Sequence, residues 1–225
     1  MYELIITNKN YSSWSMRPWV LMRQLHIPFT ERLVPYAPGA FKQHSQSGRM
    51  PCLVDGATRV WDTFAITEYL AERHAGVWPA DAKVRAWARS AAAEMHSGFG
   101  ALRNECSMSV GVRVQRHGIS DALQSDLARL AELWTDGLAR HGGPFLGGAK
   151  FTAVDAFFVP VATRVLTYAL PLPAPAAAYA GRLLEVAAVK EWIAAGLAEN
   201  FRDVEHEQEV LAQGVVLSDL RAPAV

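Results

Sequence analysis

The run Gly48-Arg49-Met50-Pro51-Cys52-Leu53-Val54-Asp55-Gly56-Ala57-Thr58-Arg59-Val60-Trp61-Asp62-Thr63 decides how the first part of the chain folds. Cys52-Leu53-Val54 and Thr58-Arg59-Val60-Trp61 read as two short strands, and Asp55-Gly56 between them supplies the positive φ that a tight hairpin turn demands. Asp62-Thr63 can cap a following helix, whose apolar stripe of Phe64, Ile66, Tyr69 and Leu70 ends before Gly76 and Pro79. Toward the N-terminus, Ala37 to Arg49 is a polar loop and Phe29 to Pro35 alternates like a strand. Before it, Trp19, Val20, Met22 and Leu25 repeat at helical spacing up to a stop at Ile27-Pro28, and residues 2–7 form an apolar, β-branched strand. The order over residues 1–78 is βαβ-ββα, an α/β domain.

Past Asp81 the strand signals nearly vanish. Alanine-rich segments at roughly 81–105, 120–141, 153–169, 177–188 and 189–198 predict helices, and the reading is an all-helical second domain over 79–225, joined through Val77-Trp78-Pro79-Ala80. Lys+Arg and Asp+Glu balance at 22 each, so no net field draws the chain to nucleic acid or to an anionic membrane. The expected partner is a small molecule or another protein. Cys52 and Cys106 form no CxxC pair, and the histidines show no HxH or HxxxH spacing, so neither a disulfide framework nor a metal centre is expected. Met1 to Ile6 carry an acid and lack the basic start of a signal peptide, and prolines interrupt the apolar stretch 157–180. The expectation is a cytoplasmic protein without a membrane span.

Three constellations carry candidate chemistry. Tyr11-Ser12-Ser13-Trp14-Ser15-Met16-Arg17-Pro18 lies between the first strand and the first helix. Serine followed by proline is ordinary helix-start chemistry, yet the same amide groups and helix dipole stabilise an anion, to which a serine hydroxyl can donate. A bound thiolate is favoured in such a place. Arg49-Met50-Pro51 precedes the hairpin; X–Pro bonds are cis in about one case in twenty, and a cis bond here would turn the Met50 N–H and C=O outward to pair with a peptide. Asp62-Thr63 is either a plain N-cap or a site where the helix start and the Thr63 hydroxyl hold a carboxylate while Asp62 pairs with an ammonium. Read together, the three ask for one ligand bearing a thiol, a peptide backbone and an amino-acid terminus. Glutathione has those groups in that order.

On these residues the chain resembles the cytosolic glutathione transferases over nearly its full length. The Ser12-Ser13-Trp14-Ser15-Met16-Arg17 run is similar to the serine-rich motif of the zeta class, Gly48-Arg49-Met50-Pro51 to the family's segment with its cis-proline, and Asp62-Thr63 to its acid-plus-hydroxyl pair. Thr152-Ala153-Val154-Asp155 after Pro144-Phe145-Leu146-Gly147-Gly148 resembles the family's capping box, a folding motif. The resemblance implies a thioredoxin-like first domain that binds glutathione as co-substrate, a helical domain that completes the electrophile pocket, and a homodimer. It makes Ser12 the first choice and Ser13 the second for activating the glutathione thiol. Ser12, Ser13, Trp14, Arg49, Met50, Pro51, Asp62 and Thr63 are the implied glutathione contacts.

Tyr11 keeps a tyrosine hydroxyl in play, since several transferase classes use one. His96, Phe99 and Arg103 share a helical face in the segment 94–104 and are candidate pocket residues, suited to a substrate carboxylate, or else a solvated or dimer-facing stripe. Three functions fit the sequence: a conjugating transferase, a glutathione-dependent isomerase of the maleylacetoacetate type, and a glutathione-binding or interaction module without catalysis.

Overall fold

A computed structural model describes residues 1–224. The first part follows the order β1 (Tyr2–Ile6), α1 (Ser13–Gln24), β2 (Phe29–Leu33), β3 (Cys52–Asp55), β4 (Thr58–Trp61) and α2 (Thr63–Ala71). The four strands make one mixed sheet in the order β2-β1-β3-β4: β1 and β2 run parallel across the α1 crossover, while β3 lies antiparallel to both β1 and β4. This is the βαβ-ββα order read from the sequence and the thioredoxin-like arrangement that the resemblance implies, with Gly56 at φ +57 in the turn.

The remainder is dominated by helices: α3 (Ala82–Ser97), α4 (Gly100–Glu105), α5 (Asp121–His141), α6 (Ala153–Tyr168), α7 (Ala174–Leu184), α8 (Ala187–Ala198) and α9 (Val204–Gln213). The apolar helix α6 is buried almost all round, as a helix without a polar face must be. It packs against α1, α3 and α7, and α1 also meets α8, where Trp19 and Trp192 lie edge to face with ring centroids 5.3 Å apart. The core therefore runs without interruption from the sheet into the helices.

Four details differ from the sequence reading, one being that α9 (Val204–Gln213) lies beyond the last predicted helix, 189–198. The predicted helix over 81–105 is two helices: α3 stops at Ser97, Gly98 is extended, and Phe99 takes a left-handed conformation (φ 55) before α4 begins. His96, Phe99 and Arg103 therefore do not lie on one continuous helical face. The helical part also carries a two-stranded antiparallel ribbon of β5 (Val112–Arg116) and β6 (Gly214–Asp219). Val112 and Val114 point inward between polar neighbours, the period-2 pattern of a half-buried strand. Finally, α7 begins at Ala174 inside the Pro/Ala stretch, because Pro175 falls in the first turn, where no backbone N–H is needed.

Candidate functional site

The strand register places the three constellations at one end of the sheet. Ile5, next to last in β1, pairs with Cys52, the first residue of β3, and Cys52 pairs in turn with Trp61, the last residue of β4. The segment leaving β1, the Met50-Pro51 step and the Asp62-Thr63 helix start must therefore meet at the same edge. The Met50–Pro51 peptide bond is cis. Met50 packs with Ile5 and Cys52 in a small apolar cluster, and Arg49 is exposed.

The segment from Thr7 to Ser12 is buried throughout, and the helical part holds it in place. Glu199 accepts from the Lys9 N–H (2.8 Å) and the Asn10 N–H (3.3 Å), Trp192 Nε1 donates to the Lys9 carbonyl (2.9 Å), and the Val110 N–H donates to the Asn10 carbonyl (3.2 Å). The Tyr11 hydroxyl donates to Glu207 Oε1 at 2.7 Å, and burial with that carboxylate pushes its pKa up to about 12. Tyr11 is thus engaged with α9.

The two serines differ. Ser12 is the N-cap of α1: its buried hydroxyl accepts from the Ser15 N–H at 3.2 Å and donates to Ser15 Oγ at 2.9 Å. Ser13, the first residue of the helix, is half-buried, and among the described residues its hydroxyl has no hydrogen-bond partner. The free hydroxyl at the positive end of α1 belongs to Ser13.

At the second helix start, Asp62 is exposed and sits at φ 74, a backbone conformation that costs an ordinary residue about 1–3 kcal/mol. Its Oδ1 accepts from the Phe64 N–H (2.8 Å) and the Ala65 N–H (3.4 Å), while Oδ2 lies 3.4 Å from His96 Nε2. Thr63 is buried, with Oγ1 3.5 Å from His96 Nδ1. His96 also meets the Trp14 ring edge to face at 5.2 Å. Its pKa is lowered by burial and by Arg17 and Arg103, against an opposing pull from Asp62.

Arg103 folds back from α4 and donates to the Met95 carbonyl and, at 2.9 Å, to the His96 carbonyl, two acceptors left open by the end of α3. Its guanidinium carbon stands 5.1 Å from the Trp14 ring centroid. Trp14, Asp62, Thr63, His96 and Arg103 are thereby brought together, and Phe99 is buried at the break between α3 and α4.

Arg17 escaped the sequence reading as a site residue. It is 2% exposed, and its guanidinium carbon lies 4.3 Å from the Trp14 ring centroid and 5.1 Å from that of Phe157. The available signal was a charge set among the apolar residues Met16, Pro18, Trp19 and Val20. Among the described residues, no group of three or more His, Cys, Asp or Glu is arranged to hold a metal ion, and no helix is long and apolar enough to cross a membrane. Both cysteines are buried and free, Cys52 within the sheet.

Residues 11–73 match the family described as glutathione S-transferase, N-terminal domain. A search of the curated proteins returned no match. Among solved structures, the chain is similar to a Burkholderia glutathione transferase homolog with bound glutathione: 22% identity, 87% of this chain and 97% of that one, TM-score 0.66. A theta class glutathione S-transferase from Xanthomonas axonopodis pv. citri, also with glutathione bound, gives 22% identity over 85% of this chain and 96% of the other, TM-score 0.64. Glutathione transferase F2 from Populus trichocarpa gives 16% identity over 86% and 98%, TM-score 0.61. At these identities the shared property is the fold.

Proposed function

We propose that the protein is a glutathione transferase of the serine type, in which Ser13 activates the thiol of bound glutathione. The observation that carries this reading is the convergence of a free serine hydroxyl on a helix N-terminus, a cis Met50–Pro51 step and the Asp62-Thr63 helix start at one end of a thioredoxin-like sheet. The family match over residues 11–73, and the glutathione held by two structures of the same fold, support it.

The tripeptide lies across this edge. The Met50 backbone pairs with its peptide groups, the start of α2 receives its amino-acid carboxylate, and Asp62 takes its ammonium. The thiol then sits over the first turn of α1. There the helix dipole and the Ser13 hydroxyl, donating a hydrogen bond, favour the thiolate and lower the thiol pKa. The proton leaves to solvent. The thiolate attacks an electrophilic carbon, a C–S bond forms, and the leaving group departs with its electron pair. Ser13 stays non-covalent throughout. Ser12 supports the geometry from below by capping the helix. The zeta-class likeness of the Ser12 to Arg17 run, cytoplasmic residence and a homodimer belong to the same reading.

Difference ultraviolet titration of the protein–glutathione complex tests it. The thiolate absorbance is expected to rise at lower pH than for free glutathione, with Ser13→Ala returning it toward the free value and Ser12→Ala doing so less. A wild-type complex that titrates like free glutathione would sink the activation mechanism.

A further inference from the structure

Directly beside the proposed glutathione site stands a positive cluster without salt bridges. Arg17 and Ser13 are four residues apart on α1, so the two side chains share a face one turn apart. The Arg17 Nε and Nη1 atoms are enclosed without a hydrogen-bond partner, and so is Nε of Arg103. Arg164 stands near them, its own guanidinium held by the Cys106 carbonyl (2.7 Å) and the Pro160 carbonyl (3.1 Å). None of the three makes a salt bridge with a carboxylate among the described residues. The charges of Asp62 on Arg17 and of Asp126 on Arg103 act only from a distance, the Asp62 oxygens being turned to the α2 amides and His96 and Asp126 accepting from the Leu102 N–H.

A buried cation without hydrogen bonds is costly, and an apolar side chain of the same length would fill the space between Trp14 and Phe157 at no such cost. Within the fold the Arg17 charge has only the Trp14 and Phe157 rings to lie against, whereas an incoming anion would pair with it. The half-buried Trp14 indole lies against both Arg17 and Arg103, with the two guanidinium carbons 4.3 and 5.1 Å from its ring centroid, and so gives an aromatic wall to whatever these groups hold. Two guanidiniums with enclosed, unpaired N–H groups beside an aromatic plane match an arene carboxylate better than a neutral arene.

We infer that Arg17 and Arg103 form a subsite for a carboxylate on the electrophilic second substrate, placed so that the acceptor carbon meets the thiolate at Ser13. This rests on the transferase reading and narrows it: the acceptors are aromatic or conjugated acids rather than neutral hydrophobes. The two guanidiniums replace the water that the acid loses on entering, and Trp14 orients its ring.

Two acceptors that differ in charge test the inference, 4-chloro-3-nitrobenzoate, which is anionic, and 1-chloro-2,4-dinitrobenzene, which is neutral and intrinsically more reactive, so that the change in their ratio between wild type and variant is what is read. The ratio of kcat/KM for the acid to that for the neutral halide is expected to fall about 10-fold or more in Arg17→Met, the worth of a charged hydrogen bond. It should also fall in Arg103→Met, a half-buried position that keeps the test open if the first variant does not fold. Equal losses with both acceptors would mean that the arginines serve the thiolate, and a raised KM for glutathione with an unchanged ratio would mean that they hold glutathione's own carboxylates. Either result overturns the inference. If the wild type turns over neither acceptor, the transferase reading fails by itself, and tryptophan quenching decides the anion site separately. Tighter binding of 3-nitrobenzoate than of nitrobenzene, lost in Arg17→Met, supports the site, and equal binding overturns it.

Discussion

Asp155, in the first turn of α6, and Arg17, in the middle of α1, are buried charges on two helices that pack against each other. Their surroundings are opposite. The Asp155 carboxylate accepts from the Leu146 N–H (2.9 Å), the Thr152 N–H (2.9 Å), the Thr152 hydroxyl (3.3 Å) and the Tyr179 hydroxyl (2.8 Å). Arg17 has two enclosed nitrogens that donate to nothing. The first charge organises a loop, a helix start and a neighbouring helix; the second lies against the Trp14 and Phe157 rings and forms no hydrogen bond among the described residues. Burial alone does not separate a structural charge from a functional one, but the count of satisfied hydrogen bonds does. The serines repeat the contrast on a smaller scale: the Ser12 hydroxyl is spent on the helix, and that of Ser13 is free.

The contrast can be broken or sharpened by substitution. Asp155→Ala leaves several buried donors unpaired and is expected to cost about 3–5 kcal/mol in urea unfolding. A loss below about 1 kcal/mol, an ordinary surface effect, would remove the structural half of the comparison. Burial raises the Asp155 carboxyl to about 6 against its four donors, compared with 3.8 in the unfolded chain. A raised carboxyl stabilises fully below its unfolded pKa, and the contribution is lost as pH rises through the folded value. Stability should therefore fall between about pH 4 and 6 by roughly 3 kcal/mol from this group, and Asp155→Asn should flatten that slope. Ser13→Ala is expected to lower kcat about 100-fold, the loss typical of a donor to developing negative charge. A larger loss in Ser12→Ala would reverse the assignment of the two hydroxyls. Arg17→Met should raise stability by about 1–2 kcal/mol, because an uncompensated buried charge is removed, and a destabilised variant would make Arg17 structural after all. Ser12→Ala should cost about 1 kcal/mol in the same unfolding measurement, the usual value of an N-cap.

Legibility in the sequence followed how local each determinant is. The hairpin at Asp55-Gly56, the helix stop at Pro28 and the caps at Asp62 and Thr152 act within a few residues of themselves, so the first half and the capping box could be read directly. The break at Gly98-Phe99 could not: alanine-rich flanks predict continuity, whereas Arg103 folding back on the Met95 and His96 carbonyls closes α3 from a distance. The β5–β6 ribbon was missed because β6 takes its register from a partner about a hundred residues earlier, and α9 because it is charged and buries only Val210, leaving little apolar stripe to read. Of the candidate site, the residues that cap or terminate elements were visible. Arg17 was visible only as a charge in an apolar stripe, since its meaning depends on Phe157 and Arg103, which the fold brings to it.

The clamp on Thr7 to Ser12 bears on how portable this half of the molecule is. Glu199, Trp192 and Val110 grip the backbone that delivers the serines, so the pose of Ser13 is written partly in residues more than ninety positions downstream. A chimera that grafts residues 1–78 onto a foreign helical half would carry every letter of the serine motif and still lack its aim. Any exchange of halves between related chains would have to bring a matching grip at the end of α8, or inherit a reactive loop whose orientation is no longer set.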